Sequence, residues 1–312
     1  MDSKCNLIID SCCDLPHEVI DREGVYLLKY PYTDSSGEHL DDLYQSVSDH
    51  DFYEGMRKGE KPQTAQVPII AFNEAFDWAY EQGKPTVYLS FSSGLTGTFD
   101  TAQIILEQAR AAHPDLEIYA VDTKLASIAE ALLVYEALRQ RERGLSAKEL
   151  ADWAEEAHFF IDEEFMVDDL EALRRGGRIP SSVAYAGSKL DVKPLLTIDD
   201  EGKLALTGVA RGRKKGIKAL VDYYEKRKAE DAFGHNITIG HSDCPKDAER
   251  LVELLHKADE SAIILESRIG PVIGSHVGPG MLAVAFWGKD SRSTMSVADR
   301  IAHKAVSYTH LR

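Results

Sequence analysis

The chain has 312 residues, 44% of them hydrophobic, and a formal net charge of −16. Such a length can build two full cores, and the acidic balance argues against the basic surface that nucleic-acid phosphates require. No apolar run reaches the roughly 18 residues of a membrane span, so no transmembrane helix is expected. The amino terminus enters a strand almost directly and lacks the apolar stretch of a signal peptide, so a cytoplasmic location is expected. Cys5, Cys12, Cys13 and Cys244 show no Cys-x-x-Cys spacing and read as reduced thiols.

The first half alternates strands and helices. Leu7-Ile8-Ile9 reads as a short buried strand, followed by a polar turn at 10–14. Pro16 suits a first helical turn, Gly24 ends that helix, and residues 25–28 form the next strand. Residues 33–62 read as a polar excursion holding one helix near 51–58. From Pro68 onward, Ile70, Phe72, Phe76 and Ala79 fall at helical spacing until Gly83. Residues 86–91 form a strand, 98–112 a helix, 117–121 a strand and 126–143 a helix. This alternation implies βαβ units and a mainly parallel sheet flanked by helices. Ligands of such sheets sit beyond the carboxyl ends of the strands. The polar loops at 10–14, 90–97 and 122–124 fall there.

The second half changes style. Ser146-x-x-Glu149 matches a capping box, and its helix links the halves. Residues 159–161 and 165–167 are strand-like, and 195–198 with 203–207 read as a hairpin around Asp199-Asp200-Glu201-Gly202. A helix is expected near 214–228, a strand at 236–241, a helix at 245–257 and a strand at 262–266. The expected fold class is α/β, an N-terminal mainly parallel sheet flanked by helices, plus a C-terminal α+β domain. The expected domains are 1–155 and 156–288, with a C-terminal extension at 289–312. The end of that extension, 307–312, has no packing pattern and is expected to be disordered or foreign to the fold.

Residues 90–98 carry a cluster of hydroxyls and glycines between a strand and a helix. The glycines allow tight turns, and helix-start N–H groups with the hydroxyls of Ser92, Ser93, Thr96 and Thr98 can hold an oxyanion. An ordinary βα turn is the other reading. Ser92-Ser93-Gly94 lacks the Gly-x-Ser-x-Gly spacing of a hydrolase elbow. Thr64 sits between Pro62 and Pro68, which hold it extended, either as a polar group facing a crevice or as the approach to a helix. Arg178 follows the paired Gly176-Gly177. The basic run of Arg211, Arg213, Lys214 and Lys215 reads as a solvated helix start or as a docking or phosphate-neutralising patch. His276 lies among Gly274, Gly278 and Gly280, where close backbone packing beside a titratable donor suits a site wall. The Gly278-x-Gly280-x-x-Ala283 spacing lacks the βαβ context of a dinucleotide fingerprint. His241 reads as a strand-end residue. There is no P-loop, no His-Glu-x-x-His and no Cys/His cluster, so neither cofactor nor metal is called for.

Several of these segments, taken in order, resemble the DegV family. They are Ile8–Ser11 with Asp14-Leu15-Pro16, residues 62–68, the 92–98 turn, residues 173–179, the 211–215 run and residues 274–280. The resemblance spans roughly residues 5–288 and implies a two-domain fold that holds a fatty acid. It further implies a carrier that is not itself an enzyme. Such a carrier presents the carboxylate to a separate ATP-dependent fatty acid kinase and carries the acyl-phosphate to phospholipid synthesis. By this resemblance Thr64, Ser92, Ser93, Gly94 and His276 contact the carboxylate. Arg178 and Arg211 lie near the head group, and Arg211, Arg213 and Lys214 dock the kinase. Ala65 stands where the family often has a second hydroxyl. A monomer with only transient membrane contact is expected. The alternative reading is an enzyme, a phosphatase or transferase, acting on a small anionic substrate.

Overall fold

The computed structural model describes residues 3–179 and 191–294. In chain order the first half contains β1 (Asn6–Asp10), α1 (His17–Ile20), β2 (Val25–Leu28), β3 (Pro31–Asp34), β4 (Gly37–Leu40) and α2 (Asp49–Arg57). It continues with β5 (Gln63–Thr64), α3 (Ile69–Gln82), β6 (Thr86–Ser90), α4 (Thr98–Ala112), β7 (Ile118–Asp122), α5 (Ser127–Glu142) and α6 (Ala147–Ala157). The second half contains β8 (Ile161–Met166), α7 (Glu171–Arg175), β9 (Val192–Ile198), β10 (Leu204–Arg211) and α8 (Arg213–Arg227). It ends with β11 (Asn236–His241), α9 (Pro245–Ala258), β12 (Ile263–Arg268), α10 (Pro271–Val277) and β13 (Leu282–Trp287).

Strands β2-β1-β6-β7 make an all-parallel sheet. Its strands are covered on both faces, as parallel sheets require. Leu7 and Ile9 enter one core while Ile8, between them, enters another. Val87 and Leu89 divide from Tyr88 in the same way. On one face lie α3 and α4, through Phe72, Phe76, Ala102 and Leu106. On the other lie α5 and α6, through Leu132, Leu133, Leu150 and Ala154.

The second sheet has the order β10-β9-β8-β13-β11-β12, antiparallel except for the β11–β12 pair. Phe165, Ala283 and Ala285 face the α5 side, and Met166, Leu282 and Val284 face α8 and α9. The layers therefore run helices, parallel sheet, α5 and α6, mixed sheet, helices. Helix α5 is buried at twelve of its sixteen residues because both sheets enclose it.

Most expected elements form within a residue or two of their expected bounds, and the Ser146–Glu149 capping box is present. Three differences matter. The 33–62 excursion contains the β3–β4 hairpin, which β5 joins as a small antiparallel sheet. Residues 159–167 hold one strand preceded by a tight turn rather than two strand pieces. The 271–277 segment, which runs into the glycines at 278 and 280, is helical, and β13 after it is a central strand of the mixed sheet. Arg292, at the start of the expected extension, packs over the rings of Phe159 and Phe160 and pairs with Glu156 and Asp290. The rest of that extension, 295–312, lies outside the described residues, as does Pro180. No described helix is long and apolar enough to cross a membrane.

Candidate functional site

A cavity of ≈ 290 Å³ opens past the carboxyl ends of the four parallel strands. The segments after β1, β2, β6 and β7 supply Cys12, Tyr30, Phe91 and Ala126. The mixed sheet closes it with Glu163, Phe165, Ile198 and Leu204, and α7 and α10 add Leu173, Val272, Ile273 and Val277. Most of this wall is apolar. Thr64, Thr96, Arg178 and His276 bring polar groups to it.

Thr64 is fixed by β5, where it pairs with Tyr32 of β3. His276 is carried by α10, which Pro271 starts at its first turn. Two glycines set the ring's position by close approach. A Cβ at Gly274 would lie 2.4 Å from Tyr53 Oη, and one at Gly176 would lie 2.2 Å from His276 Nδ1. The result puts His276 Nε2 2.8 Å from Thr64 Oγ1, joining elements 212 residues apart in sequence. His276 Nδ1 is buried without a hydrogen-bond partner among the described residues. Burial, with Arg178 and Arg175 nearby, holds the imidazole down at about 4, so the ring is neutral at pH 7. Arg178 is exposed at the cavity wall, its Nε donating to the Leu95 carbonyl at 3.4 Å. The local balance is a neutral hydroxyl–imidazole pair beside cationic side chains, which suits an anion.

Four buried acids lie behind this region, and three of them brace its turns through hydrogen bonds. Asp10 accepts from the backbone N–H of Cys12 at 3.0 Å and of Phe91 at 2.7 Å. Asp14 accepts from the Ser127 hydroxyl at 2.5 Å and the Gly270 N–H at 2.9 Å, tying the first turn to α5 and to the approach of α10. Asp41 accepts from the Leu43 N–H at 3.0 Å. Glu130 is fully buried, and neither of its carboxyl oxygens has a partner among the described residues. Burial first, then repulsion from neighbouring carboxyls (Asp42 in the case of Asp41), pushes Asp10 and Asp41 up to about 7 and Asp14 and Glu130 well above the carboxylate range.

The residues expected from sequence fall into three places. Thr64, His276 and Arg178 line the cavity together. Ser92, Ser93 and Gly94 lie beside it but not in its wall, while their neighbours Leu95 and Thr96 do line it. The Ser92 hydroxyl donates to the Gly202 carbonyl at 2.8 Å and accepts from the Gly94 N–H at 3.1 Å. The Ser93 hydroxyl accepts from Lys124 Nζ at 2.7 Å, and its N–H donates to Asp122. These serines tie the β6–α4 turn to the β9–β10 turn and to the segment after β7. Arg211, Arg213 and Lys214 lie at the end of β10 and the start of α8, outside the cavity wall. Arg213 is built into the fold: it pairs with Asp247 and Asp168 and donates to the Gly280 carbonyl. Arg211 and Lys214 are exposed.

Sequence reasoning missed Asp41, Glu130 and Glu163, and the part of the wall that the mixed sheet supplies. Glu130 stands in the apolar stretch Ile128-Ala129-Glu130-Ala131-Leu132, and Glu163 stands at the inward position of a strand, two before Phe165. An acid interrupting an apolar pattern was the available signal.

The DegV family model (DegV family COG1307) matches residues 4–289. The chain belongs to the DegV family. A DegV domain-containing protein of Clostridium perfringens is 38% identical over 282 residues, 90% of this chain and 97% of that protein. Among solved structures, the fatty acid binding DegV family protein from Streptococcus agalactiae is 27% identical with a TM-score of 0.80, covering 92% of this chain and all of that one. A DegV family protein from Thermus thermophilus, described for its fatty acid binding, is 26% identical with a TM-score of 0.79, covering 91% of this chain and 99% of that one. This DegV chain shares their α/β architecture over about nine-tenths of its length. Its cavity sits at the carboxyl ends of the parallel strands, where ligands of such sheets bind.

Proposed function

We propose that this DegV chain binds a long-chain fatty acid, with its carboxylate at Thr64 and His276 and its alkyl chain in the apolar cavity. The observation that carries this reading is the joining of the Thr64–His276 polar pair to a mostly apolar cavity. Each buried methylene contributes roughly 0.8 kcal/mol. A chain of about sixteen carbons therefore gains on the order of 10 kcal/mol before ordering costs. With that term, neutral donors suffice at the head group. The Thr64 hydroxyl and a neutral imidazole orient a carboxylate without a tight ion pair. Exposed Arg178 leaves cationic charge at the wall for an anion. The fatty acid binding of the Streptococcus agalactiae and Thermus thermophilus relatives supports the same ligand class.

The finer step rests on the family resemblance. The bound carboxylate is presented to a separate fatty acid kinase, and the carrier retains the acyl-phosphate. Exposed Arg211 and Lys214 form the kinase-docking face, with Arg213 holding that corner in shape. In this reading the protein acts in the cytoplasm and performs no chemistry itself, and the Ser92–Gly94 turn braces the head-group wall.

The Thr64–His276 pair also has the spacing of a hydroxyl nucleophile and its base, which favours the phosphatase or transferase reading. An imidazole held near 4 is a weak base at neutral pH, and that weighs against it. One experiment separates the two. Native mass spectrometry and solvent extraction of the purified protein should release a long-chain fatty acid. Protein that carries none and binds none when it is added overturns the proposal. Turnover of a phosphate ester by the isolated chain, lost in Thr64→Val, would establish the enzyme instead.

A further inference from the structure

Glu163 lines the apolar cavity beside Phe165 and Ile198. Strand β8 alternates its faces: Glu164 turns away, where its Oε1 accepts from the Thr207 hydroxyl at 2.8 Å, and Glu163 turns inward. Glu163 is only 6% exposed, and its Oε1 has no hydrogen-bond partner among the described residues. Burial pushes its carboxyl up to about 8, against the opposing effect of the Ile198 N–H. The group is therefore mostly a neutral acid at pH 7, with an O–H donor and spare acceptor capacity. The same side chain and Ile198 also form one wall of a second, polar crevice that includes Lys124, Asp162 and Thr207. At Glu163 the acyl cavity thus borders a region that tolerates polar atoms.

A plain alkyl chain can satisfy neither capacity of this carboxyl. A buried polar group left unpaired is costly, and one hydroxyl in reach removes that cost. Here an acid occupies a position whose neighbours Phe165, Ile198 and Leu204 are all apolar. We propose that the cavity is built for a fatty acid bearing a hydroxyl along its chain, with Glu163 as the hydrogen-bonding partner of that hydroxyl. This inference rests on the fatty-acid reading above and adds to it a substrate class and a specificity-determining residue.

The test is displacement of a fluorescent polyene fatty acid from the full-length protein by stearic acid and by a positional series of hydroxystearic acids. At pH 7 one or more hydroxylated isomers should bind about tenfold tighter than stearic acid, the factor expected of one net buried hydrogen bond. Glu163→Leu should abolish that preference and tighten stearic acid binding, whereas Glu163→Gln, which can still hydrogen-bond, should retain most of it. If every isomer binds the wild-type protein no tighter than stearic acid, the hydroxyl subsite is overturned while the fatty-acid reading stands. Retention of the full preference in Glu163→Leu overturns it equally. If neither stearic acid nor any hydroxystearic acid binds, both readings fall. Should the leucine variant not fold, the wild-type series decides alone.

Discussion

His276 and Thr64 illustrate what a single side chain contributes here. Each alone is an ordinary residue; at 2.8 Å across two elements they form a polar notch in an apolar wall. A hydrogen bond to a charged group is worth about 1.5–3 kcal/mol, or roughly ten- to a hundredfold in affinity. Thr64→Val, which keeps the shape and removes the hydroxyl, should weaken fatty acid binding by about tenfold or more in a calorimetric titration. His276→Ala should do the same, and the double variant should lose less than the sum because the two groups share one ligand. Unchanged binding in both singles and the double would move the carboxylate elsewhere, with the Ser92–Gly94 turn as the next place to test. Thr64 and His276 were legible in the sequence as polar centres flanked by prolines or glycines. Their mutual contact was not, since it depends on glycines at 176 and 274 that admit the ring and the helix. Glu130 and Glu163 were not legible as site elements, because a sequence pattern marks an inward position but not the absence of a partner.

At the scale of elements, the β6–α4 and β9–β10 turns press together beside the cavity. Gly202 has a positive φ of 76°, and a Cβ there would lie 2.0 Å from Ser92 Oγ. A Cβ on Gly94 would lie 2.5 Å from the Gly202 carbonyl oxygen, which is backbone and cannot swing aside. Gly94→Ala should therefore cost about 1–3 kcal/mol, read as a lowered denaturation midpoint at constant slope. An unchanged midpoint would mean that the two turns are not pressed together in solution. The hairpin itself was legible from Asp199-Asp200-Glu201-Gly202, because a turn leaves a local signature. The β3–β4 hairpin was not, because its strands are short, half-exposed and lack a long apolar alternation. Helix α10 was obscured by the glycines that let it pack against Tyr53. Strand β13, Leu282–Trp287, is wholly buried, and its continuous apolar run carries no period by which to assign it.

The whole molecule is a stack in which α5 belongs to both sheets, so the halves share a core rather than merely touch. The alternation of strands and helices announced the parallel sheet, but not this sharing, which depends on the long-range packing of two sheets on one helix. Burying that helix also buries Glu130, and with Asp10, Asp14, Asp41 and Glu163, buried elsewhere in the stack, it shapes the pH response of the fold. In the unfolded chain carboxyls titrate near 4. In the folded chain Asp10 and Asp41 titrate at about 7, Glu163 at about 8, and Asp14 and Glu130 well above the usual range. A folded state that holds protons the unfolded state has released loses stability as pH rises. Each such group contributes up to about 1.4 kcal/mol per pH unit inside its window. His276 and His158, both held down at about 4, act in the opposite direction, but only between about 4 and 6.5, where the unfolded imidazole takes up its proton. Asp259, held low by Lys228 and hydrogen bonds, loses its contribution only in acid below that range. Between pH 6.5 and 8 the raised carboxyls therefore act almost alone. The melting temperature should fall steadily across that interval. Asp41→Asn, which keeps the acceptor used by the Leu43 N–H, should flatten the decline. Melting curves that stay level or rise from pH 6.5 to 8 would mean that these carboxyls are ionised and hydrated, and that the turns around the cavity are looser than the fold described here.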